Sequence, residues 1–236
     1  MTAQTPPKSQ PQQPSRMPPL PLSQSTQTRP LPQEWVLASA NAGKQRELST
    51  LIAPLGIRLR LASEWGLASA PETGTTFHEN ALIKARAAAQ ATGLPALADD
   101  SGLEVDALGG RPGIYSARFA GPRASDRQNN ERLLLELAGI PPAARHARYR
   151  CVLAMVRSAA DPAPVVGEGS WLGSIALQSV GDGGFGYDPL FIPAGETQTV
   201  AQLPPELKRS HSHRARAAAA LLSELAACGW RFPHRP

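Results

Sequence analysis

A chain of 236 residues, 42% of them hydrophobic, is long enough to bury one sizeable α/β core or two lobes about a cleft. Its net charge of +5 permits a polyanionic partner, but only 18% of the residues are charged and no long basic block occurs, so a small phosphate ligand fits as well as a nucleic acid. No run approaches the roughly 20 apolar residues of a membrane helix and no secretory signal opens the chain, while Cys151 and Cys228 lack CxxC or Cys/His spacing. That argues against zinc and a disulfide framework and predicts a soluble, unexported protein of the reducing cytoplasm.

Residues 1–32 are dominated by Pro, Gln, Ser and Thr, with Leu20, Leu22 and Leu31 almost the only large aliphatic side chains. Such a segment cannot bury enough surface to offset its ordering entropy, so a disordered tail is expected there and a single domain over 33–236. Order is expected to begin with a strand at Trp35-Val36-Leu37-Ala38. The loop Ser39-Ala40-Asn41-Ala42-Gly43-Lys44 follows, then an amphipathic helix carrying Leu48, Leu51, Ile52 and Leu55. Small residues, an Asn, a Gly and a Lys between a strand and a helix start offer free N–H groups and a favourable dipole to an anion. This is not a Walker motif, because its first glycine is missing and Gln45 follows the lysine where Ser or Thr would hold magnesium. A βα turn with a solvated lysine reads the same way.

Thr76 and Glu79 form a capping-box pattern opening an Ala-rich helix through Ala91, which Gly93 closes. Asn80 and Lys84 share one face of that helix, and Glu72 stands in the Pro71-Glu72-Thr73-Gly74 turn before it. Next, an apolar strand running from Leu94 to Ala98 is expected to stop at Asp99-Asp100 and turn at Ser101-Gly102. Alternation puts the two carboxylates on opposite faces, so one can enter a cleft while its neighbour supports the loop or tunes the pKa. The competing reading is an Asx-type turn.

Ser125 with Gln128 caps a third helix through Leu133, Leu134 and Leu137, ended by Gly139. The second half turns to strands. Tyr149, Cys151, Leu153 and Met155 alternate with Arg150, Val152, Ala154 and Val156, and further short strands surround Val165-Val166 and the stretch from Trp171 to Leu177. Gly183-Gly184-Phe185-Gly186-Tyr187-Asp188-Pro189 combines close-approach glycines with two aromatics able to stack on a base and an acid able to read its edge, or else is a tight turn over core aromatics. A last helix is expected over about 212–227, closed by Gly229. Lys208 precedes its opening turn, Ser212-His213-Arg214, where cations oppose the helix dipole and so suggest an anionic or polar ligand. Arg209, His211 and Arg216 read as solvated surface. Helices interleaved with strands, then a strand-rich stretch, predict an α/β fold with a mixed sheet and flanking helices.

Taken in order, Leu37-Ala38-Ser39-Ala40-Asn41-Ala42-Gly43-Lys44, Thr73-Gly74-Thr75-Thr76-Phe77-His78-Glu79-Asn80-Ala81, Ala98-Asp99-Asp100-Ser101-Gly102-Leu103, Gly109-Gly110-Arg111-Pro112-Gly113-Ile114-Tyr115-Ser116-Ala117-Arg118, Gly184-Phe185-Gly186-Tyr187-Asp188-Pro189 and Ser212-His213-Arg214 resemble the signatures of one family. It is the inosine/xanthosine triphosphate pyrophosphatases, which remove deaminated purine nucleotides from the nucleotide pool. The resemblance runs from about Trp35 to Leu225. It implies an elongated α/β fold of two lobes with the active site in the groove between them, a homodimer, and Mg2+ as cofactor. It further implies that Ser39, Ala40, Asn41, Ala42, Gly43 and Lys44 bind the triphosphate and that Glu72 and Asp100 hold magnesium. Asp100 would be the proton acceptor, Ser101, Lys208, His213 and Arg214 would contact substrate, and Phe185, Gly186, Tyr187 and Asp188 would form the base pocket. Departures are few. Ser39 stands where Thr is usual and keeps the hydroxyl, Ala40 replaces Gly or His, and Pro71 occupies a site often acidic, which bears on which acid joins Asp100. Glu72 is preferred over Glu79, whose cap already occupies it.

On this reading magnesium with Lys44, Lys208 and Arg214 neutralises the triphosphate while an activated water attacks the α-phosphorus. A pocket of donors would favour the six-position oxygen of hypoxanthine or xanthine over the amino group of adenine. The rivals are a septum-inhibitor-type pyrophosphatase favouring modified pyrimidines, a basic nucleic-acid-binding protein, which lacks any known motif here, and a catalytically dead nucleotide sensor, which intact Asp99, Asp100 and Lys44 argue against.

Overall fold

The computed structural model describes residues 29–30, 33–39, 41–53 and 56–231. In chain order these hold β1 (Arg29–Pro30), β2 (Glu34–Ala38), α1 (Ala42–Ile52), β3 (Arg58–Leu61), α2 (Phe77–Thr92), β4 (Ala96–Val105), α3 (Asp126–Glu136), β5 (His146–Val156), β6 (Val165–Ile175), β7 (Phe191–Pro193), α4 (Pro205–His211), α5 (His213–Ala227) and β8 (Trp230–Arg231). Six strands form one sheet in the order β3-β2-β4-β5-β6-β7. β2 runs parallel to β3 and β4, and the rest pair antiparallel, which makes the sheet mixed as expected.

Period-two alternation sorts the side chains of the long strands onto two faces. On one face Leu37, Leu97, Leu153 and Met155 pack against Leu48 and Ile52 of α1 and Leu221 and Leu225 of α5. On the other, Val36, Ala98, Val152 and Ala154 meet Ala81, Ala85 and Ala88 of α2, whose small side chains let that helix lie close to the sheet. Further along the same strands, Leu103, Val105, Tyr149 and Trp171 pack with Leu133 and Leu137 of α3 and with Tyr187, Leu190 and Phe191. β4, β5 and β6 therefore run through two lobes. The groove between the lobes opens where β2 ends and β4 continues.

That continuation corrects the expected strand end. β4 pairs with β5 without interruption from Ala96↔Val156 to Val105↔Ala147, so Asp99-Asp100-Ser101-Gly102 is strand and not a turn. Asp and Gly are poor strand formers, but β5 supplies ladder partners throughout and both carboxylates find cations. β2 pairs with β4 only as far as Ala38↔Ala98, so the acids lie just beyond the end of their neighbour on that edge. The two short strands expected after residue 164 are one strand, β6. Its glycines break the apolar pattern because α5 crosses there: a Cβ on Gly167 or Gly169 would run into the backbone of that helix.

Other boundaries moved less. α1 begins at Ala42 with Asn41 as its N-cap, so Gly43 and Lys44 belong to its first turn and not to a loop. Thr76 caps α2 through the Glu79 N–H, but the Glu79 carboxylate returns to the N–H and hydroxyl of Thr75, one residue before the expected box partner. Ser125 and Gln128 form the full box on α3. β1, inside the segment expected to lack order, pairs in parallel with β8. The rest of that segment, Ala40 and Leu55 lie outside the described residues.

Candidate active site

The strand β4 carries the charge centre. Asp99 is buried on the α1/α5 face, where its carboxylate accepts from Lys44 Nζ at 2.6 Å and Arg214 Nε at 2.7 Å. It also accepts from Ser101 Oγ at 2.9 Å and Cys151 Sγ at 3.2 Å. Burial opposes that charge, but the Arg214 and Lys44 cations outweigh it and hold the carboxyl well below the usual range. Asp99 thus ties the first turn of α1 to the first turn of α5. Arg214 extends the link, bonding Ser101 Oγ at 2.9 Å and pairing with Glu47.

Asp100 points to the α2 face. Its Oδ1 accepts from Lys84 Nζ at 2.6 Å, and Lys84 also reaches Glu72 Oε1 at 3.1 Å. The second oxygen of Glu72 accepts from Arg118 at 2.6 Å. Burial pushes Asp100 up to about 6 against the pull of Lys84 and, more weakly, Lys44. Among the described residues Asp100 Oδ2 is buried without a hydrogen-bond partner. A buried, unpaired anionic oxygen is costly unless a ligand completes it. Two hard carboxylates with an unsatisfied oxygen suit magnesium, which keeps several waters and takes few protein ligands. No group of three His, Cys, Asp or Glu able to hold a metal occurs among the described residues, so a tightly caged structural metal is not what this cluster fits.

The third part of the site is the glycine-rich loop. Asn41, Lys44, Ser101, Phe185, Gly186, Tyr187, Asp188, Lys208, His213 and Arg214 line one cleft. The Phe185 ring lies against Gly43, so that a Cβ there would come within 2.5 Å of it. Lys208 Nζ sits 4.1 Å above the ring centroid and Arg214 at 5.9 Å. Lys208 also bonds Asp188 Oδ2 at 2.6 Å and Glu47 Oε1 at 2.8 Å. His213 stacks on Tyr149 at 4.6 Å between centroids, and burial, reinforced by the Arg214 charge, holds its pKa well below the ordinary value. The Tyr149 hydroxyl donates to Asp188 Oδ1 at 3.3 Å.

Of the residues singled out from sequence, those of the cleft come together on the α1/α5 face. Asp100 and Glu72 do not line that cleft but meet at Lys84 on the other side of β4. The two halves adjoin, since the Lys44 charge acts on both Asp99 and Asp100. Ser39 is not among the residues lining the cleft; its Oγ accepts from Asn41 N–H at 3.3 Å, and Ala42 is exposed. Glu79 is taken by its cap, as expected. Sequence reasoning left three site residues without a role. Lys84 could have been found as a lysine in the Ala81, Ala85, Ala88 stripe. Glu47, one turn beyond Lys44, carries no local signal of the two cations it joins, and Tyr149 looks like any core aromatic.

The Ham1 family profile matches residues 35–224. The chain belongs to the Ham1 family. It is 54% identical over 193 residues to a dITP/XTP pyrophosphatase of Pectobacterium atrosepticum, covering 82% of this chain and 98% of that one. It is 55% identical over 192 residues to the dITP/XTP pyrophosphatase of Methylococcus capsulatus, covering 81% and 96%. Among solved structures, a HAM1 protein from Coxiella burnetii superposes with a TM-score of 0.75 at 43% identity, and the Ham1 protein of Staphylococcus aureus with 0.72 at 41%. Each covers 82% of this chain and 98% of its own. The Ham1 match spans the sheet, both lobes and every site residue named above. Among the described residues no helix of this Ham1 chain is long and apolar enough to cross a membrane.

Proposed function

We propose that this protein hydrolyses deaminated purine nucleoside triphosphates, dITP, ITP and XTP, to the monophosphate and pyrophosphate, with magnesium and as a cytoplasmic homodimer. The observation that carries the reading is the meeting of Lys44, Lys208 and Arg214 on one cleft, with Asp100 across β4 carrying an oxygen that has no hydrogen-bond partner among the described residues. Relatives bearing the name dITP/XTP pyrophosphatase over almost their whole length support it.

The chemistry follows from charge. A triphosphate brings about four negative charges, and Lys44 and Arg214, preorganised by Asp99, and Lys208, held by Glu47 and Asp188, are fixed where they stabilise charge moving onto the leaving pyrophosphate. Asp100 and Glu72 are the residues that would hold magnesium, which supplies a hard Lewis acid for phosphate oxygens. Asp100, pushed up to about 6, is ionised at neutral pH yet basic enough to take the proton of the attacking water. The base would stack at Phe185, in the pocket that Gly186, Tyr187 and Asp188 help to line.

Hydrolysis of dITP in 18O-labelled water with magnesium tests the bond cleaved. Attack at the α-phosphorus puts label only in the monophosphate. Label in pyrophosphate, or release of orthophosphate, rejects the reading.

A further inference from the structure

The base-pocket loop is gripped from α3 by two side chains one helical turn apart. Asp126 Oδ2 accepts the Gly186 N–H at 2.6 Å, and Asn130 Nδ2 donates to the Gly186 carbonyl at 3.0 Å. Gly186 adopts φ of +62°, so its backbone is set in a conformation other residues seldom take, and both its polar groups are spoken for. Asn130 is 6% exposed, and its Oδ1 has no partner among the described residues. An asparagine buried with half its capacity unmet is an expensive way to fill space. Its neighbour Asn129 ties the opposite rim, accepting from Ala120 N–H at 2.9 Å and donating to the Ala117 carbonyl at 3.2 Å. The Tyr187 hydroxyl joins the rims by donating to the Ser116 carbonyl at 2.8 Å.

Resting on the function proposed above, we infer that Asp126 and Asn130 are positioning residues that exclude guanine by holding the Gly186 carbonyl turned into the protein. Guanine shares the six-position oxygen of hypoxanthine and differs by a two-amino group, a donor that seeks an acceptor. Hypoxanthine has hydrogen at that position and xanthine has an oxygen, which a carbonyl facing the pocket would repel. With Asn130 occupying the carbonyl and Asp126 fixing the other end of the residue, the Gly186 carbonyl is not offered to the two-amino group. Leaving a donor unpaired in a closed pocket is what makes polar discrimination strong. The clamp acts on the base and touches no phosphate, so its effect belongs in selectivity and not in the chemical step.

The test is kcat and KM for dITP, XTP and dGTP, with melting temperatures, for the full-length wild type, Asp126→Ala, Asp126→Asn and Asn130→Ala. Asp126 is exposed, so Asp126→Ala keeps the fold even if Asn130→Ala does not. Expected is a fall of about tenfold or more in the dITP over dGTP ratio of kcat/KM for both alanine variants, kcat for dITP within about twofold, and recovery in Asp126→Asn, which keeps an acceptor oxygen. A ratio unchanged in Asp126→Ala, or equal losses for all three nucleotides, overturns the inference while leaving the function standing. A wild type inactive on dITP overturns both.

Discussion

Arg214 Nε donates to Asp99 Oδ2 at 2.7 Å, joining residues 115 positions apart at a point where both are almost wholly buried. The pair sets where the first turn of α5 stands against β4, and Lys44 completes it from α1. Breaking one partner of a buried pair leaves the other charged and unmatched. Asp99→Asn is therefore expected to cost about 3 kcal/mol or more in urea unfolding and to lower activity further than stability alone explains. A midpoint equal to wild type would contradict this.

Asp100→Asn should abolish pyrophosphate release from dITP without unfolding the protein, because burial already disfavours the charge it removes. Turnover and thermal melting on the same preparation check it. Full activity with dITP and magnesium would exclude the proton-acceptor role.

Lys44→Ala removes the proposed triphosphate contact, a side chain that is only partly buried. A rise in KM for dITP of about tenfold, with the fold retained, is the expected result. Unchanged KM together with unchanged kcat would count against the contact.

Gly43→Ala drives a methyl into the Phe185 ring, and the ring must move. Weaker binding of dITP is expected, with a smaller effect on inhibition by inorganic tripolyphosphate, which has no base to stack on the ring. Parallel losses for both ligands would place the damage in the helix and not in the stacking surface.

His213 makes stability depend on pH. Burial and the Arg214 charge keep the folded ring neutral, whereas an unfolded histidine takes a proton below about 6.5, so stability is lost as pH falls through that value. Asp100, raised to about 6, works in the opposite sense below that pH, but its contribution cancels when wild type is compared with His213→Asn. The variant should gain on wild type as pH falls from about 7.5 to 5.5 in melting experiments. A constant difference would show that the ring is not held neutral.

The alternation of Tyr149, Cys151, Leu153 and Met155 and the caps at Thr76 and Ser125 were legible because they depend on residues close in sequence. The strand through Asp99-Asp100-Ser101-Gly102 was not, because β5 pairing and cations from three helices override the local preference of Asp and Gly. α4, seven residues opened by Pro205, is too short for a periodic signal, yet it delivers Lys208 to the cleft. The two short strands expected after residue 164 are joined by Gly167 and Gly169, which form the contact surface for α5. The partners of a site residue, Glu47 and Lys84 above all, become visible only when the sheet brings α1, α2 and α5 together.

Initial rates of pyrophosphate release, with and without magnesium, across dITP, ITP, XTP, dATP, dGTP, dCTP and dTTP test the central claim most directly. The account predicts magnesium-dependent release from the three deaminated purines and at most weak release from the four standard nucleotides. Equal rates on standard or pyrimidine nucleotides, or no release from any, would contradict it.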